Sequence, residues 1–258
     1  MIINISNKST TVISRGVYYF CPYNYPKIAP YELKSILDFI DYEEKHGRQT
    51  EIVCENAEIL AAVNDAAVHP ETVINARFPD EWETEFAYHA TDIDAAKQIL
   101  SSGRLLSAVK AYGKTGEELS NERSATLWND PPDFFEYIMM FFGGDRLGGD
   151  LVVNSENPNG SFSPGVRFYF RYADILQHPG RVFDGYHAVK VKDEIVLSDY
   201  LYACIVPEQY KHQLKGYVLP ELTDRVYYLP QDGLDMNQWS EKVCDLQASS
   251  TGLSSSKT

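Results

Sequence analysis

The fold expectation rests on residues 86–105, which read FAYHATDIDAAKQILSSGRL. The aromatic and small residues at positions 86–89 predict a short strand. Thr91 or Asp92 then offers a side-chain oxygen that can cap a helix, and Gly103 suits the positive φ that ends one. The apolar side chains between these caps recur at helical spacing: Ile93, Ala96, Ile99 and Leu100. The stretch therefore predicts a strand that leads directly into an amphipathic helix.

Helices are expected early in the chain and short strands late. The expected helices cover residues 31–44, 51–64 and 134–142, the last one apolar nearly all round and therefore buried on most sides. The expected strands cover residues 166–170, 182–191, 194–197, 201–206, 217–219 and 226–229. Polar loops are expected over residues 110–127 and 148–164. This order indicates an α+β fold rather than a doubly wound parallel sheet.

Composition divides the chain into three parts. Residues 1–80 are expected to form an N-terminal subdomain of helices and aromatic segments, with Pro70 and Pro79 near its end. Residues 81–246 form the main domain. Residues 247–258 are rich in Ser and Thr and are expected to be a flexible tail.

The charge and the cysteines limit the classes of partner and compartment. The chain has 258 residues, with 23 Lys and Arg against 37 Asp and Glu, and its net charge of −14 repels phosphate backbones unless a local basic groove overrides it. No run approaches the ~18 apolar residues of a membrane helix, and no secretory signal is recognisable. Four scattered cysteines favour reduced thiols in a cytoplasmic protein, with one or two disulfides in an exported protein as the alternative.

Common catalytic motifs are missing from the sequence. It contains no P-loop, no GxGxxG after a strand, no HExxH and no GxSxG. The six histidines are scattered, and none pairs with an acid or a cysteine at metal-ligand spacing, so no metal site is expected.

Three segments, taken in order, carry a resemblance to a known family. The first is Tyr88-His89-Ala90-Thr91 with its capped helix, the second is the aromatic strand VRFYF at 166–170, and the third is DEIVLSD at 193–199 before another strand. Together they resemble the ADP-ribosyltransferase superfamily of the His-Tyr-Glu type, and its DNA-targeting toxins more than the poly(ADP-ribose) polymerases. The resemblance covers residues 85–210 and implies split antiparallel sheets with flanking helices.

The resemblance implies NAD as the substrate and a role for each matched residue. Glu194 would be the catalytic carboxylate, because a fixed carboxylate stabilises the positive charge that grows on the ribose in the transition state. His89 would hold the adenosine-side ribose. The backbone at Ala90, where many relatives have glycine, would meet the nicotinamide carboxamide, and Thr91 would fix its orientation.

Two further roles follow from the same resemblance. Tyr169 matches the family's strand tyrosine that stacks on nicotinamide, and Tyr172 is the alternative. Arg123 is the candidate cation for the pyrophosphate. Arg167 stands where polymerase-like members often carry glycine, which is a departure from their pattern.

The sequence thus predicts an NAD-dependent mono-ADP-ribosyltransferase that modifies a macromolecule. The motifs favour a nucleic acid, DNA or RNA, slightly over a protein, whereas the net charge favours a protein or a locally basic groove. A toxin or phage-defence effector, held by an antitoxin or inhibitor, would suit this activity.

Other functions remain open from the sequence. A tRNA 2′-phosphotransferase resembles the family in its His-Gly-Thr segment but needs a cluster of Arg and His that is not evident here. The alternative from another class is a non-catalytic module that binds NAD or ADP-ribose. A third alternative is a protein-interaction module that docks through residues 134–142.

Overall fold

The structure is a computed structural model that describes residues 1–8, 10–14, 16–79, 85–123, 131–143, 164–231 and 233–254. Its strands are β1 Ile2–Ile5, β2 Val12–Ser14, β3 Val17–Phe20, β4 Glu51–Cys54, β5 Phe86–Thr91, β6 Arg104–Leu106, β7 Tyr137–Phe142, β8 Val166–Arg171, β9 Arg181–Val182, β10 Val189–Lys192, β11 Glu194–Val196, β12 Leu201–Pro207 and β13 Val226–Leu229. Its α-helices are α1 Pro30–Lys45, α2 Ala57–Val68, α3 Ile93–Ser102, α4 Ala108–Tyr112, α5 Gly116–Arg123, α6 Tyr172–Ile175, α7 Leu197–Tyr200 and α8 Met236–Ser254. Short 3₁₀ helices cover Pro70–Thr72, Pro132–Glu136, Glu208–Tyr210 and Pro220–Arg225. Within the described ranges, no helix has both the length and the apolar composition needed to cross a bilayer.

The chain divides into two compact units, and both are discontinuous in sequence. The first unit comprises Met1–Trp82, Ser107–Met139 and Gly180–Asp193. The second comprises Glu83–Leu106, Met140–Pro179 and Glu194–Thr258. The first unit thus includes residues 107–139 and 180–193, which the sequence-based division places in the domain of residues 81–246.

The first unit is built on a small sheet with strand order β2-β3-β1-β4. Strand β1 runs parallel to β3 and to β4, and β2 closes an antiparallel hairpin with β3. The apolar face of this sheet packs against α1 and α2 in one core: Ile3, Ile5, Ile13, Tyr18, Phe20, Ile36, Phe39, Ile59 and Val63. Alternation of side chains along each strand explains why every second residue enters this core.

Segment 180–193 packs closely on α1 within the first unit. Gly185 has φ +71°, and a Cβ there would lie 1.9 Å from the Ser35 carbonyl oxygen and 2.9 Å from the Phe39 nitrogen. Tyr18 donates a hydrogen bond from its hydroxyl to the Gly185 carbonyl at 2.8 Å. This position therefore requires glycine both for its backbone conformation and for space.

A fully buried ion pair lies next to that contact. Lys190 Nζ is 2.8 Å from Asp184 Oδ2, and both side chains are at most 1% exposed. His187 Nδ1 is 2.7 Å from the same carboxylate oxygen, and the His187 backbone donates to the other oxygen at 2.9 Å. The Lys190 ammonium also lies over the rings of Phe134 and Tyr42, at 3.4 and 4.3 Å from their centroids. These partners hold the pKa of Asp184 well below its usual range, against the opposing effect of burial.

A second charged cluster joins the end of α1 to the segment that follows α5. Glu43 is fully buried and accepts hydrogen bonds from Arg48 Nε at 2.5 Å and from Arg48 Nη2 at 2.9 Å. Arg48 also binds Asp133, which accepts a hydrogen bond from the Tyr42 hydroxyl at 2.7 Å. Burial together with the adjacent carboxylate raises the pKa of Tyr42. The first unit is therefore linked across its separate segments by charged side chains as well as by apolar packing.

The second unit contains a sheet with the order β13-β12-β8-β5, and residues 141 and 142 of β7 pair with β5. Strand β8 is antiparallel to both β5 and β12, and β12 is parallel to β13. One face carries Phe86, Tyr88, Tyr169, Ala203 and Ile205, which pack against Trp239 and Val243 of α8. Strands β6 and β11 form a separate antiparallel pair.

The expected α+β class is confirmed, and so are several local predictions. Helices α1 and α3 and strands β5, β8, β12 and β13 lie where the sequence places them, to within a few residues. Asp92 accepts a hydrogen bond from the Ala95 backbone at 2.7 Å and so provides the N-cap of α3. Gly103 follows α3 with φ +69°, as its position at the C-cap predicts.

The expected helix over residues 134–142 is wrong. The chain instead forms a 3₁₀ turn over Pro132–Glu136 and then β7. A short, almost wholly apolar run does not distinguish a buried helix from a buried strand by its periodicity, and the aromatic and β-branched residues favour the strand. The expectation of burial holds, because Phe134, Ile138 and Met140 are at most 3% exposed.

Three other local predictions are also wrong. The segment 51–64 begins as β4 and becomes helical only after Asn56, whose side chain accepts hydrogen bonds from the backbones of Glu58 and Ile59. The segment 110–127 contains the end of α4 and all of α5, where Thr115 and Glu118 form a capping box with reciprocal hydrogen bonds of 2.7 and 3.2 Å. The segment 217–219 is not a strand and leads into the 3₁₀ helix Pro220–Arg225.

Two more expectations concern segments whose bounds differ or are not described. The single strand expected over 182–191 is two short strands, β9 and β10, separated by the irregular residues that carry Asp184 and Gly185. Helix α8 extends through residues 247–254, where a flexible tail was expected. Residues 255–258, residues 148–163 of the loop expected over 148–164, residues 124–127 of the loop expected over 110–127, and the boundary at residues 80–81 lie outside the described residues.

Replacing Asp184 with alanine is expected to lower the free energy of unfolding by about 3–5 kcal/mol, because it leaves Lys190 buried without its counter-ion. Chemical denaturation followed by circular dichroism measures this. Asp41→Ala is the matched control, since the Asp41–Lys45 pair is more than 60% exposed on both sides and should contribute less than about 0.5 kcal/mol. The double variant Asp184→Leu/Lys190→Met should recover much of the loss. Equal effects of Asp184→Ala and Asp41→Ala would contradict this account.

Candidate functional site in the second unit

Strand β5 places His89 and Thr91 on one face of the sheet. Successive side chains along a strand point to opposite faces, so Tyr88, which precedes His89, and Ala90, which follows it, face the other way. Ala90 packs against the aromatic cluster under α8. His89 pairs across the sheet with Phe168 of β8 and is partly exposed. The His-x-Thr spacing thus presents two polar side chains together, immediately before the capped start of α3.

Glu194 lies on the separate β6–β11 pair and contacts Arg104. In the antiparallel register, Glu194 stands opposite Leu106, which makes Arg104 its diagonal neighbour on the same face. Arg104 Nη1 donates a hydrogen bond to Glu194 Oε1 at 2.7 Å, with side-chain exposures of 49% and 35%. The buried partners on the opposite face, Leu105 and Ile195, anchor the two short strands. The carboxylate is therefore held in a defined position while it remains accessible to solvent.

The end of α3 positions Arg104 for this contact. Gly103 turns the chain out of the helix, and its carbonyl accepts a hydrogen bond from the Leu197 backbone at 2.9 Å. The continuous segment β5–α3–β6 thus carries His89 near its beginning and the partner of Glu194 at its end.

The second unit also contains an imidazole, that of His178, whose protonation the Glu194 carboxylate influences. Its ring lies 5.1 Å from the Tyr200 ring. Burial lowers the pKa of His178 from its ordinary value, and the Glu194 carboxylate opposes that change. The neutral form of this imidazole is therefore favoured near neutral pH, which suits a group that accepts a proton.

The residue before Glu194 has a backbone conformation that is uncommon outside glycine. Asp193 has φ +68°, and its carbonyl accepts a hydrogen bond from the Ser107 backbone at 2.7 Å. Aspartate tolerates this left-handed conformation better than most residues do. Asp193 and its hydrogen-bond partner Ser107 both belong to the first unit.

The two candidate stacking residues differ sharply in exposure. Tyr169 is fully buried and packs 5.8 Å from the Tyr88 ring on the face covered by α8, opposite to the face of His89. A ring with no exposed surface cannot stack on a ligand, so the role expected for Tyr169 is corrected to a packing role. Tyr172 follows β8 directly, is partly exposed and contacts the Phe142 ring at 5.3 Å. Tyr172 is thus the available candidate.

Arg123 keeps its expected role only as a prediction. It is the last residue of α5 in the first unit, and its side chain lies outside the described part of the chain. The cation that the structure does place at Glu194 is Arg104.

Sequence reasoning missed Arg104, His178 and Tyr200. Arg104 follows the helix-ending glycine in a recognisable place, but its contact with Glu194 spans 90 positions of sequence. His178 and Tyr200 come from separate segments that only the fold brings together. No local pattern in the sequence marks these contacts. Among the described residues, no group of three or more His, Cys, Asp or Glu side chains is arranged to hold a metal ion.

Comparisons with protein families, with curated proteins and with solved structures find no match to this chain. Function is therefore argued from the site alone.

Tyr169→Ala and Tyr172→Ala are expected to differ in their effect on stability. The first removes a fully buried ring and should lower the free energy of unfolding by about 3–5 kcal/mol, whereas the second removes a partly exposed ring and should cost about 1 kcal/mol or less. Urea denaturation of each variant measures this. Tyr217→Ala serves as the exposed control in the same unit. A larger loss from Tyr172→Ala than from Tyr169→Ala would contradict the assignment.

Proposed function

We propose that the protein is an NAD-dependent mono-ADP-ribosyltransferase and that Glu194 is its catalytic carboxylate. The observation that carries this proposal is the ion pair between Glu194 and Arg104, at the end of the segment that begins with the His89–Thr91 strand. A carboxylate that is accessible yet fixed by a diagonal arginine suits the stabilisation of a cationic transition state.

The side chains of the second unit fit different parts of NAD. His89 and Thr91, on one face of β5, would hold the adenosine-side ribose and orient the nicotinamide amide. Tyr172 replaces Tyr169 as the ring that stacks on nicotinamide. The Ala90 backbone would meet the carboxamide. We also propose that the chain adopts the ADP-ribosyltransferase fold, with its split antiparallel sheets.

The chemistry assigns Glu194 two tasks. The bond between nicotinamide and the ribose C1′ breaks, and nicotinamide leaves with the bonding electrons. Glu194 stabilises the positive charge that develops on the ribose and orients its hydroxyls. It also accepts the proton that the acceptor nucleophile loses as the new bond to C1′ forms, with His178 as an alternative base.

The acceptor is proposed to be a macromolecule, and a nucleic acid is slightly favoured over a protein on the motifs alone. The net charge of −14 means that a nucleic acid would have to approach a locally basic surface. A toxin or phage-defence effector in the cytoplasm, restrained by an antitoxin or inhibitor, is the setting in which such an activity would be used.

A second candidate function is a non-catalytic module that binds NAD or ADP-ribose. The observation that favours it is again the Arg104 contact, because the arginine occupies a Glu194 oxygen that the ribose hydroxyls would need. The two functions differ in one readout. A binding module retains affinity for NAD without releasing nicotinamide, whereas the transferase releases nicotinamide and labels an acceptor.

Glu194→Gln is expected to lower nicotinamide release by about 100-fold or more, because it removes the charge that stabilises the transition state. The full chain is incubated with NAD and, separately, with DNA, RNA and a protein mixture. Chromatography measures released nicotinamide, and mass spectrometry measures the added ADP-ribose. Glu208→Gln removes an exposed charge in the same unit and serves as the control.

Folding must be separated from activity in this experiment. The Glu194–Arg104 pair is solvent-screened, so Glu194→Gln should change the free energy of unfolding by less than about 1 kcal/mol. NAD binding without any turnover by the wild type would support the non-catalytic module. Turnover that is equal in the wild type and in Glu194→Gln would refute the role of this carboxylate.

A further inference from the structure

In the part of the first unit that the structure describes, the helices of the core pack on one face of the small sheet. Helices α1 and α2 both pack on the face that carries Ile3 and Ile5. The opposite face carries Asn4, which pairs with Tyr19 on one side and with Val53 on the other. Val53 is 41% exposed. Parallel strands usually have both faces covered. Among the described residues, the core of α1 and α2 covers only one face of this sheet, and we call the other one the open face.

A cavity of about 250 Å³ lies on this face, at the carboxyl ends of the parallel strands. Three lining residues pair side by side across the sheet, on β3, β1 and β4, and the others come from the end of β1, from the residues after it and from the residue after β4. The lining residues are Asn4, Ile5, Ser6, Lys8, Tyr19, Val53 and Glu55. In open sheets with parallel strands, ligands bind outside the carboxyl ends, where loops supply polar groups around an apolar floor. The cavity occupies the corresponding place in this unit.

Size decides what kind of occupant fits. Four strands of about four residues present a face of about 250 Å², well below the ~800 Å² per partner of a stable protein interface. The face is thus too small to form a dimer by itself. The cavity volume lies just under the ~300–1,000 Å³ of pockets for drug-sized ligands. A ligand of nucleoside size fits this space, and a whole dinucleotide exceeds it.

The lining residues match the parts of a nucleotide. The Tyr19 ring offers a stacking surface, and base–aromatic stacking does not require a particular base. The Asn4 side chain beside it carries both a donor and an acceptor, the pair that recognises the edge of adenine. The Lys8 ammonium suits a phosphate, and the Glu55 carboxylate suits the hydroxyls of a ribose.

The charged pair at the cavity mouth can open at little cost. Lys8 Nζ lies 3.1 and 3.3 Å from the two Glu55 oxygens, and the two side chains are 70% and 79% exposed. Water screens an ion pair of this kind, so it contributes little to stability. Both side chains can therefore turn toward a ligand without disturbing the fold.

We propose that this cavity binds a purine nucleoside monophosphate. The base stacks on Tyr19 and hydrogen-bonds Asn4, Glu55 binds the ribose, and Lys8 binds the phosphate. The site lies wholly within the first unit and uses none of the residues assigned to NAD cleavage. It thus goes beyond the proposed function and stands or falls independently of it.

Isothermal titration of the full chain with AMP, and separately with adenosine, tests the proposal. We expect saturable binding of AMP, and Tyr19→Ala should weaken it by about fivefold or more because stacking is lost. Lys8→Gln should weaken AMP binding and leave adenosine binding unchanged. Lys45→Gln is the matched control, since it removes a lysine from an ion pair of similar exposure on α1. Thermal unfolding of each variant checks that the fold is kept.

Binding by the second unit must be distinguished, because NAD contains an AMP moiety. AMP binding that persists in Glu194→Gln and His89→Gln but falls in Tyr19→Ala supports the cavity. Binding that falls in His89→Gln and is unchanged in Tyr19→Ala would place the ligand in the second unit and overturn the proposal. The absence of saturable AMP binding at millimolar concentration would overturn it as well.

Discussion

Strand β8 is the constraint on which the second unit depends. All residues from Val166 to Phe170 are buried, and the strand pairs antiparallel with β5 on one side and β12 on the other. A slip of one residue in either pairing would turn every side chain to the opposite face. Because both faces of β8 are buried, such a slip would disrupt the packing on both. The position of His89 across from Phe168 therefore follows from the packing of β8. The face under α8 takes the rings of Tyr88 and Tyr169, and the other face keeps His89 and Thr91 together.

The two units use charge in different ways. In the first unit, Lys190 and Asp184 are buried together with three aromatic rings nearby, and loss of either partner leaves an uncompensated charge in the core. In the second unit, Arg104 and Glu194 are partly exposed, so their contact contributes little to folding. A substitution at Glu194 can therefore remove its charge without disturbing the fold, whereas a substitution at Asp184 cannot.

Local signals and distant contacts explain what the sequence could and could not predict. Asp92 and Gly103 act on their own neighbours, so the strand, cap and end of α3 were predictable. The run 134–142 was not, because an apolar segment takes its conformation from the strands it pairs with. Tyr169 is buried by α8, about seventy positions later in the sequence, so its exposure could not be read from β8 alone. The contact between Arg104 and Glu194 likewise depends on the pairing of two three-residue strands that are far apart in the chain.

The most direct test of the account is amide hydrogen exchange in the presence of a non-cleavable NAD analogue, resolved by peptide. If NAD lies between the β5 segment and Glu194, exchange should slow in peptides that cover residues 88–93 and 194–197 together. The peptide over β1, in the first unit, reports any separate binding in the open-face cavity. If exchange slows in neither of the two second-unit peptides at a saturating concentration of the analogue, the account is contradicted.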